Sequence, residues 1–166
     1  MKNRPWFILY LVMCPVLVWL DWLLKRVVQS RLAVGEAWPS ADRFARFLHV
    51  QNDGVAFSLF SGHPQALIAM QGVLFVVIAI LAVLAYRRRF SAAIVTGLTW
   101  IVAGGAGNLI DRVRFGYVTD FIAVGSFPVW NFADMCIVGG CILIGIAVLF
   151  FWDRVHPKKA RADGDH

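Results

Sequence analysis

Charged side chains are scarce in this chain, making up 16% of its 166 residues where a soluble domain carries about 25%. That shortage excludes an ordinary water-soluble globule. Cysteine is scarce too: Cys14, Cys136 and Cys141 are the only three, each inside an apolar stretch. An odd number of thiols in such runs argues against a disulfide framework and reads as packing by a small hydrophobe. The four histidines are scattered without ligand spacing, so no metal site is expected. A Gly-x-Ser-x-Gly elbow is missing, which leaves Ser58 and Ser61 near His49 and His63 as weak material for serine catalysis. No basic surface is interleaved with aromatics on a polar domain, and this disfavours nucleic-acid binding.

Long apolar runs are abundant. Hydrophobic residues reach 60% and the mean hydropathy is +0.69. Four runs, at about 6–28, 66–86, 92–110 and 131–152, meet the roughly 17–25 residues a spanning helix needs. The expected fold class is an α-helical integral membrane protein with four transmembrane helices, one domain over 1–166 and a polar tail at 153–166. The first run resembles a cleaved leader, since Lys2 and Arg4 precede it and Leu11-Val12-Met13-Cys14 hints at a lipoprotein attachment box. Met13 is too large for the small residue such a box needs, and the apolar run continues past Cys14. It is read as a retained helix.

An even number of spans puts both termini on one side. That side then holds nine basic residues and three acidic ones, including the Arg87-Arg88-Arg89 turn, against seven and seven on the other. Basic flanks favour the cytoplasm, so both ends are expected inside, where the excess charge suits anionic lipid headgroups. Asp21 and Lys25, Asn108 to Arg112, and Asn131 to Asp134 then gather at one level, the outer interface.

Asp120 and Asp134 stand out there, each beside a polar cluster at the edge of an apolar run. A carboxylate near hydrocarbon costs from about 2.5 kcal/mol upward and is a functional-site hypothesis by default. A lone interfacial aspartate is more often a helix cap or an ion-pair partner, and Arg112 and Arg114 are near. Two on one side, flanked by Asn108 and Asn131, tip the balance. Two close carboxyls do not both ionise easily, so one keeps a proton while the other accepts one. Such a pair can activate water and polarise a carbonyl. Asp21 and Lys25, spaced i, i+4, read as an interfacial ion pair with a snorkelling lysine. Asp111-Arg112 reads as structural, with Arg112 reaching backbone carbonyls to fix the loop before Asp120. A relay of intramembrane acids, as in a proton-coupled transporter, would place carboxylates along a path; here they cluster at one end and the second and third runs carry none.

Residues 29–65 form the one sizeable outer piece. Phe44 to Val50 suits a short strand or an interfacial amphipathic segment. Asn52-Asp53-Gly54 is a turn signature, and Val55 to Phe60 suits a strand or a membrane-facing lip. Small residues in 103–107 and at Gly139-Gly140 allow close helix approach. The tail after Pro157 reads as disordered.

Four of these segments, in order on a four-span chain, resemble bacterial lipoprotein signal peptidase, the type II signal peptidase, over nearly the whole length. They are Asp21-x-x-x-Lys25, the stretch Asn52-Asp53-Gly54-Val55-Ala56-Phe57-Ser58, Gly107-Asn108-Leu109-Ile110-Asp111-Arg112 running to Asp120-Phe121, and Asn131-Phe132-Ala133-Asp134. The resemblance implies an aspartic endopeptidase of the bacterial cytoplasmic membrane. It would cut before the lipidated cysteine of a diacylglyceryl-modified prolipoprotein, among membrane lipids and with no metal or cofactor. It also implies that Asp120 and Asp134 are catalytic, supported by Asn52, Asn108, Arg112, Asn131, Asp21 and Lys25, with a small periplasmic β-cradle and a mobile periplasmic segment. Trp130 departs from the commoner phenylalanine, and the stretch from Asp120 to Asp134 is shorter than in many members.

Overall fold

A computed structural model of the chain describes residues 6–40, 43–54 and 64–155. Four helices dominate: α1 (Trp6–Arg31), α2 (Pro64–Arg87), α3 (Ala92–Phe115) and α4 (Phe132–Val155). At 1.5 Å per residue, 24 residues reach about 36 Å, enough for a hydrocarbon core of about 30 Å. All four are long and apolar enough to cross a membrane. Their large side chains face outward in rows, as along Val73, Val76, Val77 and Ile80 of α2, because lipid accepts them as readily as a protein core does.

α3 is the hub and touches each of the other three helices. Its N-terminus is capped by the Ser91 side chain, which accepts from the Ile94 N–H. Gly116 ends it in the left-handed region at φ 80, its N–H returning to the Arg112 carbonyl at 2.9 Å. Against α4 the approach is close because side chains are absent. A Cβ on Gly104 would meet the Ala133 carbonyl, and one on Gly140 would meet the Gly97 carbonyl oxygen at 2.5 Å.

The apolar runs locate the helices but not their ends. α1 continues to Arg31 and α3 to Phe115, past the expected limits at 28 and 110. Helical hydrogen bonds do not require apolar side chains, and Asp111 and Arg112 turn inward as the last turns of α3.

Three strands, β1 (Ala37–Trp38), β2 (Ala45–Asn52) and β3 (Val118–Val124), form an antiparallel sheet in that order. The ambiguous stretch from Phe44 to Val50 is therefore mostly strand. Val50 pairs with Asp120 and Asn52 with Val118, after a register shift between Phe47 and Val50. Trp130 adds a bridge to Ile122, with N–H···O distances of 2.7 and 3.1 Å. Residues 55–63, with the expected strand or lip and Ser58, Ser61 and His63, lie outside the described residues, as does the tail after Pro157.

Candidate active site

The start of α4 sets the first carboxylate. Asn131 caps the helix: its Oδ1 accepts from the Asp134 N–H at 3.0 Å, and Asp134 Oδ2 accepts from the Asn131 N–H at 3.1 Å. This reciprocal box satisfies two end groups of the helix at once. Asp21 Oδ1, from α1, takes a third, the Ala133 N–H at 2.9 Å. Asp134 is thus a helix-cap partner, yet its Oδ1 stays free for another contact, the Asn108 Nδ2 at 2.8 Å.

The second carboxylate arrives on β3. The Trp130–Ile122 bridge places Asn131 against Asp120, whose Oδ1 accepts from Asn131 Nδ2 at 2.6 Å. Asn52, at the end of β2, donates to Asp120 Oδ2 at 2.8 Å. The Asn52 oxygen is already occupied by the Gly54 N–H at 3.1 Å, so only its amino group can face the acid. Asp120 is 2% exposed. Burial is the main cause pushing its carboxyl up to about 6; the Asp134 charge adds to that, and the Asn52 and Asn131 donors and Lys25 oppose it.

Lys25 corrects the sequence reading. It does not snorkel: it is 1% exposed and points into the bundle. Its Nζ lies 2.8 Å from Asp21 Oδ2 and 3.0 Å from Asp111 Oδ2, and donates to Asn108 Oδ1 at 3.1 Å. An ammonium has three N–H groups and no acceptor, and here each has a partner. Because Lys25 and Asn131 both donate to the Asn108 oxygen, the Asn108 amino group must turn to Asp134. A buried cation thus helps to set the orientation of the Asn108 amide that faces Asp134.

Arg112 reaches a backbone carbonyl as expected, but on a different segment. It lies within α3 and grips the segment after β2, not the loop before Asp120: Nη2 donates to the Gly54 carbonyl at 2.7 Å and Nη1 to Gln71 Oε1 at 3.1 Å. Asp111 holds the approach to Asp120 instead, accepting from the Thr119 N–H at 3.2 Å. Asp120, Asp134, Asn52, Asn108, Arg112, Asn131, Asp21 and Lys25 thus join one polar network at the end of the bundle that carries the sheet. At its centre Asp120 and Asp134 are joined through Asn131, which donates from its side chain to the first and from its backbone to the second.

The sequence pattern of the signal peptidase (SPase) II family matches residues 13–150. The chain belongs to this family. A lipoprotein signal peptidase of Dehalococcoides mccartyi strain BAV1 is 44% identical over 135 residues, covering 78% of this chain and 81% of its own. That of Enterococcus faecalis is 32% identical over 159 residues, covering 95% and 94%. A bacterial membrane enzyme solved by the in meso method at 2.3 Å matches with a TM-score of 0.78 at 25% identity, over 97% of this chain and 98% of that one.

Membership of the signal peptidase II family makes the chain a peptidase with a multi-pass membrane fold. The matched span includes every residue of the network. Four contributors escaped the sequence reading: Gln71, the Gly54 carbonyl, Thr119, and Gln29, whose Nε2 donates to the Thr119 hydroxyl at 2.7 Å. Gln71 carried a signal, as a polar residue in an otherwise apolar run. A backbone carbonyl carries none.

Proposed function

We propose that this signal peptidase II family member is an aspartic endopeptidase that removes the signal peptide from diacylglyceryl-modified prolipoproteins, cutting just before the lipidated cysteine. The observation that carries the reading is the pairing of Asp120 and Asp134 through Asn131, with burial raising the Asp120 carboxyl to about 6, so that it keeps its proton into mildly acid solution.

In the proposed reaction the ionised carboxylate takes a proton from water, and the resulting hydroxide forms a C–O bond to the scissile carbonyl carbon. The protonated carboxyl hydrogen-bonds the carbonyl oxygen and stabilises its developing charge. As the tetrahedral intermediate collapses, the C–N bond breaks and the leaving amine, the new amino terminus of the lipidated cysteine, takes a proton from the pair. The pair is left singly protonated. The two carboxyls supply both acid and base, so no metal or cofactor enters.

The substrate's signal helix would lie among the helices of the enzyme, with its acyl chains in the outer leaflet. In this reading the protein sits in the bacterial cytoplasmic membrane with both termini inside and the sheet and carboxylates at the outer face. The excess of basic residues at the other end supports it. The test is purified protein in detergent given a diacylated prolipoprotein. Release of the signal peptide, with the lipidated cysteine as the new N-terminus by mass spectrometry, is expected. Cleavage at another bond would refute the assignment.

A further inference from the structure

Between the last turns of α1 and the sheet lies a groove of about 540 Å³ that the mechanism does not use. Leu24, Val27, Val28 and Leu32 form one wall, and Trp38, Phe47 and Phe121 the other. Trp38 stacks on Phe47 at 6.3 Å and Phe47 meets Phe121 at 6.4 Å. Despite this stacking, Trp38 is 62% exposed and Phe47 45%. Among the described residues the only charged group lining the groove is Arg31, the last residue of α1. The Arg31 guanidinium has no ion-pair or hydrogen-bond partner among the described residues.

We propose that this groove holds one acyl chain of an anionic glycerophospholipid, with the lipid phosphate against Arg31. Three observations support this occupant over water or a protein partner. The groove wall continues the lipid-facing flank of α1, where Leu24 and Val27 are exposed within a span, so hydrocarbon reaches it without crossing a polar barrier. Among the described residues the rest of its lining is aliphatic or aromatic, with the Trp38 indole N–H as the one further polar side-chain group, fewer than the two to four polar partners that a water needs. The one cation stands at the end of the span, where the hydrocarbon gives way to headgroups. The lipid would brace the face of the sheet behind Asp120 without touching the carboxylates, so the proposal does not depend on the catalytic assignment.

The test is fluorescence quenching in phosphatidylcholine nanodiscs containing a rising fraction of lipid with brominated acyl chains. Subtracting the signal of Trp38→Phe isolates the Trp38 contribution. One cation near a lipid phosphate contributes about 1 kcal/mol, or about fivefold in affinity. Half-maximal quenching of Trp38 is therefore expected at about a fivefold lower fraction of brominated phosphatidylglycerol than of brominated phosphatidylcholine. Arg31→Lys should keep that preference and Arg31→Gln should lose it. Equal quenching by the two lipids in the unaltered protein, a preference that survives Arg31→Gln, or no quenching of Trp38 would each overturn the proposal. Peptidase activity is not part of the readout, so failure here leaves the proposed reaction standing.

Discussion

Asn131 serves both carboxylates at once, donating from its side chain to Asp120 and from its backbone to Asp134. Asp120 has the titration that makes this testable. Its carboxyl rises from 3.8 to about 6 on folding, chiefly by burial, so the folded protein binds that proton more tightly than the unfolded chain. The resulting stabilisation is full below pH 3.8 and is lost as pH rises through about 6, up to roughly 3 kcal/mol for a two-unit shift. The melting temperature in detergent should fall across that window relative to Asp120→Asn, which should lack this component. Parallel pH curves for the two proteins would contradict the raised value. Cleavage should decline on the alkaline side of about pH 6 as Asp120 loses its proton. Lys25 is the other residue whose removal should be severe. Lys25→Met leaves Asp21, Asp111 and the Asn108 oxygen without their cation, and breaking a buried pair costs about 3–5 kcal/mol. Thermal unfolding should show a large loss of stability, and a change under 1 kcal/mol would mean water replaces the ammonium.

At the scale of the elements, α3 and α4 meet through glycine, and α3 meets α1 the same way at Gly107. A Cβ there would lie 2.5 Å from Asp21 Oδ2 and 3.3 Å from the Ala133 side chain. Gly107→Ala should push Asp21 off the α4 terminus and Lys25 and destabilise by about 1–3 kcal/mol, the usual effect of overpacking. Gly72 in α2 has nothing within 4 Å of its Cβ position, so Gly72→Ala should be neutral or stabilising by up to about 1 kcal/mol. Equal unfolding temperatures for the two variants would contradict this packing. The elements were legible in the sequence to unequal degrees. Helix number followed from the apolar runs, and the motif residues around Asp120 and Asp134 marked one end of the bundle. The inward turn of Lys25 was not legible, because an i, i+4 pair shows a shared helix face but not what faces it. Only tertiary structure brings Asp111 and Asn108 of α3 to that ammonium. The extension of α3 past residue 110 was hidden for the same reason: its polar end residues are satisfied by neighbours far along the chain. β2 was ambiguous because a short apolar stretch fits a strand and an interfacial segment equally.

Across the whole molecule, the run of three arginines and the candidate site lie at opposite ends. The polar network and the sheet share one end, and the three-arginine turn between α2 and α3 lies at the other. The proposed orientation predicts that a cysteine at position 44, whose phenylalanine is exposed near the sheet, is labelled in intact spheroplasts by a membrane-impermeant maleimide. A cysteine in place of Arg88 should be labelled only after permeabilisation. The reverse pattern would invert the topology and place the site inside. The most direct measurement of the central claim is the turnover of purified Asp120→Asn and Asp134→Asn on a diacylated prolipoprotein, each checked for intact folding in detergent. Both single variants should stay folded, and neither should release the signal peptide. Turnover retained by either folded variant would show that the two carboxylates are not the acid–base pair.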